Sequence, residues 1–439
     1  MDVGLLTLLY FGLLVLCVAL GLPVAFSIGG TAVIFILWQL GSNCLLLVAI
    51  SAWEAWTSHV MIAIPLFVLM AYLLQGCGMA DDLFEMMYRW MGPVGGGLGM
   101  GTVVICTIFA AMAGMSALGT ITMGLIALPA MMKRGYDKRL ALGCIGAGGT
   151  LGILIPPSLP MIIYGFLAQE SVGQLFLGGI IPGIILSTVF IVYIGLRCIF
   201  NRSVGPAVPK EERFTWRQKF ASLRSMVLPL ILIFMVLGFI YLGIATPTEA
   251  AGVGAMGAFI IVLIYRRFSW NLLRDSLIGT LRITAMAGWI ILGAMLFTHV
   301  YATLGASQFL QELTLKMGLN RWLILALTQV TLFILGCFMD PTGMMVITLP
   351  IFVPLIRDLG FSAVWFGVLF VINMEMGYLT PPFGYNLFYM KLLAPKTATM
   401  QDIYMSVIPF ILLEWLVLIL MMAFPNIIMW LPEMMIAAR

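Results

Sequence analysis

Two short stretches of this 439-residue chain place a proline pair behind a glycine: Gly152-Ile153-Leu154-Ile155-Pro156-Pro157 and Gly377-Tyr378-Leu379-Thr380-Pro381-Pro382. Each pair removes two backbone donors, and the glycine lowers the cost of unwinding. A helix interrupted at such a point exposes carbonyls on its first half and amides at the start of its second, which suit a cation and an anionic group respectively. Side-chain oxygens and amides gather at the same places. Thr150 and Ser158 flank the first pair, and Thr380 and Asn386 flank the second. Ser116 and Thr120 lie at another interruption, Ala113-Gly114-Met115-Ser116, while Asp340 and Thr342 lie at Met339-Asp340-Pro341-Thr342-Gly343. These groups bind ions and polar solutes; they are not the paired acids or nucleophile clusters of catalysis. A simple kink is the competing reading of either proline pair alone, and recurrence of the whole pattern favours a break. Asp340 is a candidate both for cation binding and for capping the half-helix that follows. Glu375 can face a cavity or a buried partner, and Glu414 can pair with a basic residue or mark an interface. His59 and His299 lie near membrane boundaries on unrelated local patterns; a proton relay is the alternative to a bland structural reading, which is favoured.

The elements that must carry these residues lie in a membrane. Mean hydropathy is +1.12, 62% of residues are hydrophobic and 9% are charged, against about 25% charged in soluble domains. The fold class is therefore an all-α integral membrane protein, with spans of about 20 residues. No long polar stretch offers a soluble catalytic or DNA-reading domain. No G-x-x-x-x-G-K-[ST], H-E-x-x-H or G-x-S-x-G is present, which argues against a P-loop ATPase and against membrane-embedded hydrolysis. The seven cysteines have no metal-ligand or paired spacing, and the 33 methionines are spread through apolar runs; both read as packing. The first apolar run has no basic segment before it and reads as a retained helix.

The two proline motifs are 225 residues apart (377 − 152). The same shift carries Gly135-Tyr136 onto Gly360-Phe361 and the opening apolar runs onto those after residue 225. The chain thus reads as two copies of one unit. The first, 1–200, has scaffold helices within 1–76, a hairpin over 96–132, a broken helix over 139–168 and a helix over 174–200. A linker, 201–224, precedes the second unit, 225–439, with scaffold helices within 225–303, a hairpin over 321–357, a broken helix over 362–390 and a helix over 404–425. Hairpin segments this short read as re-entrant, leaving five crossings per unit and an inverted second copy. With both termini outside, eighteen of the 22 Lys and Arg fall at cytoplasmic ends, and only Lys316, Arg321, Arg357 and Arg439 stay outside. That asymmetry sets the orientation. The basic linker is ordinary positive-inside charge, and no nucleic-acid partner is expected. Thr246-Pro247-Thr248-Glu249 has the form of a capping box, and the amphipathic stretches Asp81–Trp90 and Trp270–Arg282 are expected along the membrane interface.

Four motifs together resemble the large membrane subunit (M subunit, DctM-like) of tripartite ATP-independent periplasmic (TRAP) transporters: Leu151 to Ser158 with Met132 to Asp137 upstream, Ala245 to Ala251, Met339 to Thr342, and Leu379 to Pro382. The resemblance covers nearly the whole chain. It implies an elevator-type transporter of the ion transporter superfamily kind, importing an organic anion, usually a carboxylate, with Na⁺ as the transported coupling ion and no organic cofactor. It also implies a bacterial inner-membrane location with surrounding lipid, a small four-helix membrane subunit (Q type) and a periplasmic substrate-binding protein (P type), both on separate chains. Carried onto this sequence, sodium ligands fall at Ser116, Gly149, Thr150 and Pro156, and at Asp340, Thr342, Gly377 and Thr380. Substrate falls between Ser116, Ser158, Thr342 and Asn386, and the structural breaks are at Gly152, Pro156, Pro157, Gly377, Pro381 and Pro382. The nearest alternative is a stand-alone sodium/dicarboxylate symporter or anion/proton antiporter of related architecture.

Overall fold

The computed structural model describes residues 3–305, 318–395 and 397–437; Lys316, Lys396 and Arg439, counted in the charge asymmetry, lie outside the described residues. Those residues form helices, turns and loops with no strand, and eight of the helices are long and apolar enough to cross a membrane. The first half contains α1 (Val3–Ala19), α2 (Val24–Phe35), α3 (Leu46–Thr57), α4 (His59–Gly76), α5 (Met79–Met91), α6 (Gly97–Ala113), α7 (Ser116–Lys133), α8 (Lys138–Thr150), α9 (Leu159–Ala168) and α10 (Val172–Phe200). After the linker helix α11 (Trp216–Ser222) come α12 (Arg224–Tyr241), α13 (Pro247–Ile264), α14 (Trp270–Thr303), α15 (Arg321–Phe338), α16 (Pro341–Asp358), α17 (Ala363–Leu379), α18 (Tyr385–Leu393), α19 (Met400–Ala423) and α20 (Asn426–Ala437).

Local chemistry sets the boundaries. Thr246 and Thr399 each form a capping box, with Glu249 and Asp402 respectively. Asp340 caps α16, with Pro341 in the first turn, where its missing N–H costs nothing. Single prolines are absorbed: Pro65, Pro182 and Pro409 sit inside α4, α10 and α19 without ending them. The two Pro-Pro pairs, both with cis peptide bonds, fall instead between helices. After α8 a short 3-10 turn over Leu151–Ile153 gives way to a non-helical stretch up to the α9 cap, Ser158. The second interruption is shorter, running only from Thr380 to Gly384.

Three features depart from the sequence reading. Gly377 is helical, within α17, and does not open the second break. A Cβ there would stand 3.2 Å from the Cα of Gly336, so this glycine lets α15 and α17 cross backbone to backbone. The stretch Trp270–Arg282 runs without interruption into the following span as the 34-residue α14. Its counterpart, α5, is a separate helix because Gly78, at φ +70°, turns the chain after α4; α14 contains no such residue. The short helices α3 and α20 also add to the expected elements.

The elements recur in register: α7 and α16 both run 18 residues and start 225 residues apart (341 − 116). The open end of the α6–α7 hairpin sits with the start of α8 and the linker, where Leu98 N–H donates to Tyr136 Oη at 3.1 Å and Asp137 N–H donates to the Val204 carbonyl at 2.9 Å. The open end of the α15–α16 hairpin lies against the far end of that broken helix, where Arg357 donates to the Ala168 carbonyl at 2.7 Å and to Glu170 at 2.6 Å. The two hairpins therefore open toward opposite ends of the molecule. The linker end is also the basic end. There Lys138 and Arg139 pair with Asp402 at 2.6 and 3.2 Å, Arg267 pairs with Asp82 at 2.8 Å, and Arg134 pairs with Glu212.

Candidate functional site

Both hairpin tips meet interrupted helices. At the first, Gly114 adopts φ +64°, and a Cβ on it would lie 2.5 Å from the Pro157 carbonyl. Its own carbonyl accepts from Leu159 N–H at 3.2 Å. A Cβ on Gly152 would lie 2.9 Å from the Met115 carbonyl. Only glycine at these positions lets tip and break approach so closely. Ser116, the next residue, reaches across to α18, where its Oγ lies 2.8 Å from Asn386 Nδ2 and 3.0 Å from Asn386 Oδ1. Asn386 also donates to the Gly146 carbonyl of α8 at 3.2 Å. At the second tip, Phe383 N–H in the second break donates to the Cys337 carbonyl at 3.1 Å. Each hairpin tip thus ends against the interruption of a broken helix.

Between them lies a cavity of about 300 Å³, lined by residues of both tips, both broken helices and α14. Of the expected substrate residues, Ser116 and Thr342 line it. Ser158 and Asn386 do not; both are wholly buried and act one layer behind. Ser158 caps α9, accepting from Met161 N–H at 3.3 Å and donating to the Ile153 carbonyl. Of the expected sodium residues, Ser116, Asp340 and Thr342 face the cavity. Gly149 packs on Thr120, whose Oγ1 would lie 1.9 Å from a Cβ at that position. Thr150 Oγ1 donates to the Ala147 carbonyl at 2.7 Å and lies 3.4 Å from Glu414 Oε1. Thr380 donates to the Met376 carbonyl at 2.7 Å. Gly149, Thr150, Pro156, Gly377 and Thr380 thus stand around the cavity without lining it. Asp340 is its one charged residue; one carboxylate oxygen accepts from Gly343 N–H at 2.9 Å.

Sequence reasoning missed the rest of the wall. Tyr378, Tyr385 and Tyr389 supply phenols from the second broken helix, and Tyr378 and Tyr385 have ring centroids 6.0 Å apart. Ile283, Met286 and Ile290 supply an apolar stripe from α14. Their spacing of three and four residues was the available signal. His59 lies elsewhere, in a second cavity of about 480 Å³ with Glu170 and Glu249. His299 is held by Ser51 at 2.9 Å and Glu54 at 3.6 Å.

Residues 11–427 match the family described as the DctM component of tripartite ATP-independent periplasmic transporters. The chain is 32% identical over 457 residues to the C4-dicarboxylate TRAP transporter large permease protein DctM of Vibrio cholerae, covering 99% of this chain and 98% of that one. It is 34% identical over 388 residues to the Pseudomonas aeruginosa protein of the same name, covering 88% and 89%. Among solved structures, the YdaH transporter of Alcanivorax borkumensis shares the fold, with a TM-score of 0.61 and 14% identity over 88% of this chain and 89% of that one. These relatives are permeases, not enzymes, and the apolar helices give a multi-pass membrane protein. A match that spans nearly the whole chain, with a cavity built where its two proline motifs meet two hairpin tips, places this protein in the DctM family of TRAP transporter large permeases.

Proposed function

We propose that this chain is the sodium-coupled translocating subunit for an organic acid, working by an elevator movement in the bacterial inner membrane. The observation that carries the proposal is the cavity lined by both hairpin tips and both broken helices. A solute held there lies between two hairpins that open toward opposite ends, so access can pass from one face to the other. Oxygens at the tips and breaks hold Na⁺: Ser116, Gly149, Thr150 and Pro156 on one side, Asp340, Thr342, Gly377 and Thr380 on the other. The positive charge of the ion compensates Asp340 and lets an anion follow, with Ser116, Ser158, Thr342 and Asn386 forming or bracing its seat. The C4-dicarboxylate permeases named above make a small carboxylate the first substrate class to test. Family membership supports two separate partners, a small four-helix membrane subunit and a periplasmic binding protein that delivers the substrate. The basic linker end faces the cytoplasm, and both termini face the periplasm.

Reconstitution into proteoliposomes with both partners tests the proposal, using labelled succinate and an inward gradient of either sodium or choline. Uptake is expected only with sodium and with the binding protein. Undiminished uptake in choline would remove sodium as the coupling ion. Full uptake by this chain alone would favour a stand-alone symporter.

A further inference from the structure

The two units contribute equivalent positions to the cavity, and the two contributions differ in chemistry. At the 225-residue shift Met115 corresponds to Asp340, Ala117 to Thr342, Ile153 to Tyr378 and Pro160 to Tyr385, and each of these residues lines the cavity. In every one of these pairs the second unit supplies an oxygen where the first supplies an apolar group. The pair Ser116 and Pro341 runs the other way, but the Ser116 hydroxyl is already held by Asn386 at 2.8 Å. Leu159 and Ile163 of α9 extend the apolar set, and Tyr389 of α18 extends the polar one.

Each set is gathered on its own side, because each tip is bonded to the break of its own unit. The Gly114 carbonyl, beside Met115, accepts from Leu159 N–H at 3.2 Å, and the Cys337 carbonyl of the second tip accepts from Phe383 N–H, between Tyr378 and Tyr385, at 3.1 Å. The rings of Tyr378 and Tyr385 lie 6.0 Å apart. None of the three phenols hydrogen-bonds to another group among the described residues, so their hydroxyls are free to donate into the cavity. No Arg, Lys or His lines it. Glu375 and Glu414, both wholly buried, are not among its lining residues either.

We infer that the solute of this cavity is an organic acid with one carboxylate on an apolar, branched aliphatic body, and not a dicarboxylate. The inference rests on the proposed use of the cavity as the solute's seat. The carboxylate accepts from the phenols and from Thr342, at the end where Na⁺ compensates Asp340, and charge-assisted hydrogen bonds of this kind are the strong ones. The aliphatic body lies against Met115, Ile153 and Leu159. A second carboxylate on that side would shed its water and meet no side-chain donor in return.

The test uses the purified full chain in detergent micelles at constant NaCl, reading the thermal unfolding midpoint against added 4-methylpentanoate or succinate; leaving out the binding protein keeps its selectivity from deciding the result. Half of the stabilisation by 4-methylpentanoate is expected at a concentration at least about tenfold below that for succinate. Tyr378→Phe removes a hydroxyl that has no partner in the fold, so the variant is expected to fold as the wild type does and to need at least about tenfold more 4-methylpentanoate. Ala117→Ser adds a hydroxyl to the apolar side and is expected to narrow the gap between the two acids. The inference is overturned if succinate stabilises at an equal or lower concentration, if neither acid moves the midpoint, or if 4-methylpentanoate acts on Tyr378→Phe and wild type alike, which marks an effect on the micelle. Sodium-driven uptake in proteoliposomes is a separate readout: preference for 4-methylpentanoate without sodium-driven uptake keeps this inference and removes the coupling, and sodium-driven uptake with preference for succinate removes this inference alone.

Discussion

Asn386 offers a sharp energetic test, because one side chain joins three elements. It is wholly buried, its Nδ2 donates to Ser116 Oγ at 2.8 Å and to the Gly146 carbonyl at 3.2 Å, and its Oδ1 lies 3.0 Å from the same hydroxyl. Asn386→Ala leaves that hydroxyl without a partner in a site closed to water and strips the Gly146 carbonyl of its second donor. Leaving a buried polar group unsatisfied costs about 1–3 kcal/mol in soluble proteins. Hydrogen bonds between membrane helices average about 0.6 kcal/mol and reach about 1.7. The two contacts to Ser116 place the Asn386–Ser116 coupling toward the upper part of that range, about 1–1.7 kcal/mol. A double-mutant cycle of Asn386→Ala, Ser116→Ala and the pair, read by reversible denaturant titration in micelles, isolates this term. If the single costs add within about 0.3 kcal/mol, the tip and α18 are not energetically joined and the account of the first tip fails.

Gly143→Ala places a Cβ 2.3 Å from the Ser406 carbonyl, so α8 and α19 must separate; a loss of about 1–3 kcal/mol is expected. Gly238→Ala meets nothing within 4 Å and serves as the neutral control in the same thermal assay. Asp340→Asn is expected to weaken the sodium dependence of uptake more than docking of the binding protein, measured by flux in proteoliposomes and by surface-immobilised binding; an unaltered sodium response would remove Asp340 from the coupling site. The linker carries a pH dependence. A hydrogen bond from Arg134 holds the Glu212 carboxyl below its usual range, so the attachment is complete above the ordinary glutamate value of about 4.3 and is lost as pH falls through the lowered one. Proteolysis between residues 201 and 215 is expected to accelerate only in that acid window; cleavage independent of pH would assign the linker's hold to other contacts.

The helical class, the two interruptions and their hairpin neighbours were legible because each has a covalent cause: an absent N–H at proline, or a missing Cβ at glycine. The cap at Asp340 was legible for the same reason, as was the capping box at Thr246. Gly377 misled because glycine permits both unwinding and close crossing, and only the position of Gly336 decides between them. The tyrosines of the cavity were invisible because Tyr378, Tyr385 and Tyr389 read locally as ordinary helix and loop residues; their convergence depends on how the second break is packed. Helix α3 escaped notice because, at 12 residues, it is shorter than a span and follows a run already long enough to be one. The environment of Glu375 and Glu414 depends on long-range helix packing, which no local pattern encodes.

Helix α14 is 34 residues long, which at 1.5 Å per residue makes a rod of about 51 Å against a hydrocarbon layer of about 30 Å. It lies between the cavity and the helices α2, α4 and α3 on its other flank. The face it turns to the cavity is Ile283, Met286 and Ile290, which make no hydrogen bonds through their side chains. A neighbouring body that slides along this face has nothing directional to break and no polar register to lose. In the proposed elevator movement this greasy rod would serve as a bearing, and a single serine or asparagine on the stripe would introduce a detent, a preferred stopping point in the travel.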